Sequence, residues 1–238
     1  MYLSVVIPAY NEAKRIIPTL ESVFDYLKKQ NYDYEVLVVN DGSKDNTAEI
    51  VQSFQSQVPN LKLIDNKQNR GKAKVVQQGM MEAHGDLKLF MDADNATTID
   101  NLDKMLSWVA GGHDIVIASI GIKGAEKIGE EPVYRRLLGQ LGNFWIRFWV
   151  APGIHDTQRG FKLFTKEAAE KIFPKMRTFG WGFDVELLAL ARKYGYKIKE
   201  VPIVWKNAPD SKVNIWAYPK TLLQTLKIWW NLKTNKYD

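Results

Sequence analysis

Two carboxylates lie two residues apart at the end of a strongly apolar segment. Asp92 and Asp94 belong to the sequence FMDADN and directly follow the run LKLFM. At a strand end, such a pair can share one hard divalent cation, Mg²⁺ or Mn²⁺, and leave coordination places for a pyrophosphate. A solvated turn is the alternative, although a structural turn here would more often use Gly or Asn. The pattern favours a metal site for a phosphorylated ligand.

Polar side chains follow two other apolar segments in the same way. Tyr10, Asn11 and Glu12 come after the first, and Asn40 and Asp41 end the second. In open α/β sheets, ligands bind outside the carboxyl ends of the strands, so these residues are candidates for the same site. No G-x-G-x-x-G turn follows the first strand and no G-x-x-x-x-G-K-[ST] loop is present. The phosphates of a bound nucleotide would therefore need another counter-charge, which a metal ion could supply.

The elements that would position these residues alternate along the first half of the chain. Apolar runs predict strands, most of them buried on both faces, at 3–9, 34–40, 61–65, 86–92 and 113–119. Amphipathic stretches predict helices at 12–29, 44–57, 71–84 and 100–110. This alternation predicts an α/β fold with a doubly wound, mainly parallel sheet flanked by helices.

The pattern changes after residue 120. Glycines, a proline and charges at 121–133 predict a mobile loop. An amphipathic helix is predicted at 134–150, followed by an irregular stretch at 151–160 and the strand FKLF at 161–164. Two helices are predicted at 166–173 and 183–195, a further strand at 198–205, and a terminal helix within 211–238. Because there is no repeat or linker, one domain with late insertions is favoured over two.

The composition excludes several classes of protein. The chain has 238 residues, of which 45% are hydrophobic and 25% charged, so a sizeable core is expected. It has no cysteine, which excludes disulfides, thiolate metal sites and cysteine nucleophiles, and its three histidines argue against a His-rich zinc site. The first residues lack a basic signal-peptide region, and no apolar run approaches the roughly 18–20 residues that span a bilayer. We expect an intracellular-type protein without a transmembrane anchor.

The net charge of +6 is concentrated in two tryptophan-rich segments. Residues 134–150 carry three arginines and no acidic residue, and residues 211–238 carry five lysines and one aspartate. Each segment aligns apolar residues on one helical face: Leu137, Leu141, Phe144, Trp145 and Phe148 in the first, and Leu222, Leu226, Trp229 and Trp230 in the second. Basic amphipathic helices with tryptophan commonly lie in a membrane interface. Peripheral membrane binding is favoured over packing on the rest of the chain or on a second subunit, and nucleic-acid binding lacks a recognised fold.

Several sequence blocks, in this order, resemble family 2 glycosyltransferases of the GT-A fold. VVIPAYNE (5–12), VVNDGSKDNT (38–47), NRGKAKVV (69–76) and MDADN (91–95) are similar to the nucleotide-sugar half of that family. DTQRGFKLF (156–164) and GWGFDVELL (180–188) resemble its polyprenyl-phosphate branch, and within it dolichyl-phosphate β-glucosyltransferases. The resemblance implies a GT-A domain over 1–210, with a nucleotide-sugar half at 1–120 and an acceptor half at 121–210. A basic amphipathic helix in 211–238 would follow.

The resemblance assigns a donor side to the first half of the chain. Pro8, Tyr10 and Glu12 would line the nucleoside pocket, Asp41 would hydrogen-bond the base or ribose, and Asn40 stands where the family often has Asp. Gly71 and Lys72 would lie beside the ribose and phosphates. Asp92, Ala93 and Asp94 would contact the sugar nucleotide, with Asp92 and Asp94 holding Mg²⁺ or Mn²⁺ and Asn95 adjoining. The residues alone also allow purely structural roles: Pro8 and Tyr10 could simply end a strand, Asp41 could belong to an ordinary turn, and Lys72 could be a solvated lysine.

The second half of the chain contains the candidate residues for binding the acceptor. Asp156 would position the donor sugar or the acceptor, or take a proton, with loop capping as the alternative. Gln158, Arg159, Trp181 and Asp184 would contact the acceptor or sugar, and Arg135 and Arg136 would grip its phosphate, with a solvated face as their alternative. The residues expected to act in catalysis are Asp94, Arg135, Asp156 and Asp184. Glu186 is a weaker candidate, and a structural role is favoured for His155.

The implied activity is metal-dependent, inverting transfer of glucose from UDP-glucose to a polyprenyl (dolichyl) phosphate at the cytoplasmic face of a membrane. The lipid phosphate has a second pKa of about 6, so it is ionised near neutral pH and needs no strong general base. One alternative is a mannosyl- or GlcNAc-transferase that uses GDP-mannose or UDP-GlcNAc, and another is a non-catalytic, membrane-associated nucleotide-sugar binding module. DTQRGFKLF favours glucose. The partners expected are a UDP-sugar, the lipid and the membrane surface but no nucleic acid, and a homo-oligomer or a membrane subunit stays open.

Overall fold

The structure of the protein is a computed structural model. It describes the backbone of residues 2–129, 133–206 and 217–238, and the side chains of these residues except 133–138, 140, 217 and 218. In the described ranges the elements in chain order are β1 (Leu3–Ala9), α1 (Ile16–Leu27), β2 (Tyr34–Asp41), α2 (Thr47–Gln55), β3 (Leu61–Asn66), α3 (Lys72–Glu82), β4 (Leu87–Met91), α4 (Leu102–Ala110), β5 (Ile115–Ser119), β6 (Glu126–Ile128), α5 (Val133–Trp149), β7 (Phe161–Thr165), α6 (Lys166–Ile172), α7 (Phe183–Lys193), β8 (Ile198–Pro202), β9 (Val204–Lys206) and α8 (Ala217–Lys233).

Seven strands form the central sheet in the order β3-β2-β1-β4-β7-β5-β8. β1 runs parallel to β2 and β4, β2 to β3, and β5 to β8. β7 is antiparallel to both of its neighbours, β4 and β5. The predicted α/β fold with a mainly parallel sheet is therefore confirmed, with one reversed strand near its middle.

Helices cover both faces of this sheet, which is why its strands are almost continuously apolar. Alternate residues of β1 enter opposite cores: Val6 packs with Met80 of α3, whereas Val5 and Ile7 pack with Leu20 of α1. α5, α6, α7 and α8 share the first core with α3, and α2 and α4 share the second with α1.

Two details differ from the sequence prediction, and a third was left open by it. The segment 121–133 is not simply a loop, because Glu126–Ile128 forms β6 and pairs in parallel with β9. The strand predicted at 198–205 is two strands, β8 and β9, which belong to different sheets. FKLF is a strand as predicted, but it runs antiparallel to its neighbours, and the hydrophobic periodicity of a sequence carries no information on strand direction.

The two basic, tryptophan-rich segments form α5 and α8, which pack on each other beside the first core. Trp149 of α5 meets Trp229 of α8 edge to face, with ring centroids 5.2 Å apart. Ile146 and Ile228 are buried in the core beneath them. Within the described ranges, no helix combines the length and the apolar character needed to cross a membrane.

Candidate active site

The carboxyl end of β4 opens into a cleft of about 180 Å³. Both halves of the chain contribute to its lining, which consists of Lys72, Asp92, Asp94, Ala96, Thr97, Gln158, Arg159, Gly160, Trp181 and Trp205. Six of the residues singled out from the sequence therefore lie together in one cleft: Lys72, Asp92, Asp94, Gln158, Arg159 and Trp181.

Lys72 forms an ion pair with the first carboxylate of the cleft. Its Nζ lies 2.5 Å from Oδ1 of Asp92. Burial lowers the pKa of Lys72, but the carboxylates of Asp92, Asp184 and Asp94 outweigh burial, and the net pKa is raised. Lys72 is thus held as an ammonium ion by the acidic residues around it.

The turn before α3 places Lys72 at this point. Gly71 has φ 89° and ψ 148°, a conformation that L side chains rarely adopt. The buried carboxylate of Asp41 accepts the N–H groups of Arg70 and Gly71 at 2.6 and 2.9 Å. Asp41 therefore fixes the turn that begins α3 and, through it, the position of Lys72.

Asp94 and its neighbour Asn95 offer oxygen atoms at the same edge. Burial, and then the charge of Asp92, raise the pKa of Asp94, whose Oδ1 accepts the N–H of Ala96 at 3.0 Å. Asn95 adopts a left-handed conformation with φ 54°. Its buried Oδ1 accepts no hydrogen bond from the part of the chain that the structure describes.

The chemistry of these oxygen atoms indicates whether the cleft could bind a divalent cation. Carboxylate oxygens are ligands that Mg²⁺ and Mn²⁺ prefer, and those of Asp92 and Asp94 line the cleft. Asn95, next in sequence, has a buried Oδ1 without a hydrogen bond among the described residues, but it is not one of the lining residues. Among the described residues there is no cluster of three or more His, Cys, Asp or Glu side chains that could enclose an ion. The set fits a hard cation that also takes oxygens from a bound ligand and water.

Gly160 brings the second half of the chain against Asp92. The N–H of Asp92 donates to the Gly160 carbonyl at 2.9 Å, and a Cβ at position 160 would overlap the Asp92 carboxylate. The antiparallel course of β7 makes this contact, because it sets the start of β7 beside the end of β4. The reversed strand is thus what joins the two sides of the cleft.

Asp156 organises the loop before β7. Its buried carboxylate accepts the N–H of Ile120 at 3.1 Å and Nε of Arg159 at 2.9 Å. The guanidinium of Arg159 also lies over the Trp205 ring, 4.7 Å from its centroid. Asp156 is engaged in holding Arg159 at the cleft, and it is not itself among the lining residues.

His155 and Asp156 do not form a dyad. Glu200 of β8 accepts the backbone N–H of both residues, at 2.9 and 3.0 Å, and its Oε2 lies 2.9 Å from Nδ1 of His155. This agrees with the structural role favoured for His155.

A buried ion pair lies below the cleft. Nζ of Lys162, on β7, is 2.6 Å from Oδ1 of Asp184, in the first turn of α7, and it also donates to the Arg159 carbonyl. The Lys162 side chain is fully buried and that of Asp184 is 6% exposed. Burial raises the pKa of Asp184, against the opposing charges of Lys162 and Lys72. Asp184 is absent from the cleft lining and supports the site from beneath.

Trp181 stands at the rim on the turn that precedes α7. Its side chain is 42% exposed and its carbonyl accepts a hydrogen bond from Nε2 of Gln158 at 3.1 Å.

Glu186 is fully buried and lies away from the cleft. Its carboxylate accepts hydrogen bonds from Tyr237 Oη at 2.6 Å and from the backbone N–H of Thr178 at 2.8 Å. Glu186 thus ties the segment before α7 to the end of the chain.

The remaining donor-side candidates lie at the ends of β1 and β2. Pro8 is the penultimate residue of β1. The backbone N–H of Asn11 donates to Ser43 Oγ, and that of Glu12 donates to Oγ1 of Thr47, the first residue of α2, each at 2.9 Å. Asn40 is buried and uses its amide internally, donating to Asp65 at 2.7 Å and accepting from Ser43.

These side chains lie at the same sheet edge as Asp92, as do two further candidates. Tyr10 is half-buried directly after β1, and Ala93 is buried, with its carbonyl accepting Thr19 Oγ1 at 2.8 Å. Their contacts with a nucleoside stay a prediction.

Sequence reasoning missed three residues that build the site. Lys162 is flanked by apolar residues in FKLF, and its role depends on the ion pair with Asp184, which only the tertiary structure brings together. Trp205 and Glu200 come from the strand predicted at 198–205, where no motif marked them. A lysine within an otherwise apolar strand was the one available signal, because a buried charge requires a partner.

α5 and α8 expose apolar side chains beside basic ones. Phe144 and Phe148 of α5 are 70% and 71% exposed, and Leu141 is exposed with them, whereas Trp145 of the same predicted face is half-buried. On α8 the phase differs: Trp230 is exposed, but Trp229 packs against the core and Leu223 takes its place outside. The side chains of Arg135, Arg136 and Leu137 lie outside the described residues.

Comparison with known proteins places this architecture in a family. Residues 4–173 match the profile of glycosyl transferase family 2. The dolichyl-phosphate β-glucosyltransferase ALG5C of Trichomonas vaginalis is 38% identical over 239 residues, which cover 96% of this chain and 71% of that protein. The dolichyl-phosphate β-glucosyltransferase of Homo sapiens is 34% identical over 230 residues, covering 91% of this chain and 71% of that protein.

Two solved structures share the fold. The mannosyltransferase PcManGT from Pyrobaculum calidifontis, in complex with GDP-Man and Mn²⁺, has a TM-score of 0.64 at 23% identity, covering 94% of this chain and 63% of that chain. Glucosyl-3-phosphoglycerate synthase from Mycobacterium tuberculosis, in complex with Mn²⁺, UDP and glucosyl-3-phosphoglycerate, has a TM-score of 0.63 at 20% identity, covering 95% and 79%. The profile match and the two sequence relatives show that the chain, a glycosyltransferase with the GT-A fold, belongs to glycosyl transferase family 2.

Proposed function

We propose that the protein transfers glucose from UDP-glucose to a polyprenyl phosphate of the dolichyl type, with inversion, at the cytoplasmic face of a membrane. The observation that carries the proposal is the cleft between Asp92 and Asp94 on one side and Gln158 and Arg159 on the other. The names of the sequence relatives, dolichyl-phosphate β-glucosyltransferases at 34–38% identity, support the choice of sugar and acceptor.

The donor side is supported by its carboxylates and their cation. Asp92 and Asp94 would hold Mg²⁺ or Mn²⁺, which would neutralise charge on the leaving pyrophosphate. Lys72 lies 2.5 Å from Asp92 and its ammonium is close enough to serve the donor phosphates as well. Tyr10, Glu12 and Asp41 belong to the strand ends where the nucleoside would sit.

The acceptor side needs a cation more than a base. A phosphate monoester is largely dianionic at neutral pH, since its second pKa is about 6, so its oxygen can attack the anomeric carbon without losing a proton first. Arg159, held by Asp156 and the Trp205 ring, would bind that phosphate and orient it. Asp156 is then a positioning residue for Arg159, and Trp181 at the rim would contact the first part of the lipid chain.

The exposed surface of α5 and α8 supports work at a membrane. Phe144, Phe148, Leu223 and Trp230 would enter the interface, and the basic residues of both helices would be drawn to anionic head groups by about 1 kcal/mol each. Because α8 contacts the turn that carries Trp181 at the rim of the cleft, a lipid phosphate would reach the cleft from the surface on which α8 lies.

A donor panel tests the reaction. Radiolabelled UDP-glucose, GDP-mannose and UDP-GlcNAc are each incubated with a polyprenyl phosphate, Mn²⁺ and the protein, and the lipid product is extracted. We expect label from UDP-glucose only, and its loss in Asp94→Asn with retention in Asp100→Asn, an exposed aspartate in the following turn. Label from another donor, or none, would refute the choice of glucose, and full activity of Asp94→Asn would refute the metal site.

Flotation with liposomes tests the membrane contact. The triple variant Phe144→Ser, Phe148→Ser and Trp230→Ser should stay in the soluble fraction with vesicles that contain anionic lipid, whereas the parent protein floats. The control is Trp108→Ser, which removes an exposed tryptophan from α4 on the opposite face of the sheet. Equal flotation of the parent and the triple variant would contradict the assignment.

A further inference from the structure

Gln224 of α8 contacts the turn that carries Trp181. Its Oε1 accepts the backbone N–H of Gly182 at 2.8 Å. A Cβ at Gly180 would overlap Nε2 of Gln224, and a Cβ at Gly182 would lie 3.0 Å from its Cβ. A side chain at position 180 would thus displace the Gln224 amide, and one at position 182 would crowd the Gln224 Cβ.

The turn is part of the acceptor-side rim. Trp181, between the two glycines, lines the cleft, and its carbonyl is bound by Gln158, a second lining residue. α7 begins directly after the turn, and Asp184 in its first turn pairs with Lys162 below the cleft. A shift of the Gly180–Gly182 turn would thus move the Trp181 ring relative to residues that stay fixed by β7.

One face of α8 packs against the rest of the protein and the opposite face is exposed to solvent. Thr225 and Ile228 are buried, and Thr225 Oγ1 caps the carbonyl of Thr221 within the helix. Leu223 and Trp230 are exposed with Lys220 and Lys227 on the outer face. Gln224 lies at the border between these faces, next in sequence to the exposed Leu223.

We infer that Gln224 is a positioning residue that fixes Trp181 for the acceptor, and that it makes the rim of the cleft respond to the seating of α8 on a lipid surface. The inference rests on the proposed function in taking a lipid phosphate as the acceptor. When Leu223 and Trp230 are held in the interface, rocking of α8 is restricted. The Gln224 hydrogen bond then keeps the turn in the arrangement that receives the lipid.

Two variants of nearly equal size separate the hydrogen bond from packing. Gln224→Met keeps the volume and loses the acceptor, whereas Gln224→Glu keeps an oxygen that can accept from Gly182. We expect Gln224→Met to raise KM for the polyprenyl phosphate about three- to tenfold, the worth of one hydrogen bond, with kcat and KM for UDP-glucose within about twofold. Gln224→Glu should match the parent enzyme in all three constants. An unchanged KM for the lipid in Gln224→Met would overturn the inference.

Hydrogen exchange supplies a readout that needs no turnover. Amides of residues 178–184 should exchange faster in Gln224→Met than in the parent and Gln224→Glu. Vesicles of phosphatidylcholine with phosphatidylglycerol should slow this exchange in the parent and leave Gln224→Met unchanged. Equal exchange in all proteins, or equal slowing by vesicles, would overturn the role of Gln224.

A second route covers failure of Gln224→Met to fold. Gly180→Ala should displace the Gln224 amide and give the same exchange pattern, and combining it with Gln224→Met should add nothing. If no lipid is glucosylated by the parent, the proposed function fails by itself, and the exchange comparison still decides whether Gln224 positions the turn.

Discussion

Removal of Lys162 should destabilise the protein far more than removal of another buried lysine. The Lys162→Met variant leaves the Asp184 carboxylate buried without its partner 2.6 Å away. Breaking a buried pair from one side costs about 3–5 kcal/mol, a large part of the about 5–15 kcal/mol that stabilises a typical domain. The free energy of unfolding, measured by urea denaturation at pH 7, should fall by that amount.

The loss should depend on pH in a defined direction. Burial already raises the pKa of Asp184, and without Lys162 the pKa should rise further. The folded variant would then keep a proton that the unfolded chain releases above about pH 4, so the free energy of unfolding falls as pH rises, by at most about 1.4 kcal/mol per pH unit. The destabilisation should be smaller at pH 5 than at pH 8.

Lys88→Met is the matched control. Lys88 is as deeply buried on the neighbouring strand β4, but its Nζ donates to the Met80 carbonyl at 3.2 Å and lies 3.9 Å from Glu170, which is 57% exposed. Its removal leaves no buried charge, so the loss should be about 1 kcal/mol. The double variant Lys162→Met with Asp184→Asn should recover most of the stability. A Lys162→Met loss below about 1 kcal/mol, or equal at pH 5 and pH 8, would refute the buried ion pair.

Two further substitutions test contacts that hold the site together. Gly160→Ala should force Asp92 to move, cost about 1–3 kcal/mol of stability and weaken Mn²⁺ binding in calorimetry at least tenfold, and unchanged Mn²⁺ affinity would show that Asp92 tolerates the methyl group. Tyr237→Phe should lose about 1.5–3 kcal/mol in urea denaturation, because Tyr237 donates to the buried Glu186 carboxylate at 2.6 Å. The control Tyr194→Phe, which removes a bond to the neutral Tyr237 carbonyl, should lose less than Tyr237→Phe, and the reverse order would contradict the assignment.

The sequence predicts most of the parallel part of this fold, because burial on both faces leaves continuous apolar runs. LSVVIPA corresponds to β1 over its full length, and the carboxylates after β4 are placed by the strand that precedes them. FKLF could be predicted as a strand, but its direction depends on which neighbours it meets in space. Lys162 shows the same limit, since its partner Asp184 comes 22 residues later and only the tertiary structure joins them.

The sequence also could not predict which face of α8 is exposed. α8 has apolar residues on nearly every side, at 222, 223, 226, 228, 229, 230 and 232. Periodicity alone therefore could not decide whether Trp229 or Leu223 faces outward, and contact with Trp149 settles it. Gln224 has no motif around it, and its contact with Gly182 follows from how α8 packs beside α7.

The position of β7 limits how this enzyme can be recombined with others. β7 is an inner strand of the sheet, between β4 and β5, so the chain after residue 120 contributes an inner strand to a sheet built largely by the first 120 residues. A chimera that exchanges everything after residue 120 would replace that strand together with Gly160 and the cores on both of its faces. For the proposed acceptor site, new specificity is therefore better grafted through the segments on either side of β7, with Phe161–Thr165 and Gly160 kept from the parent.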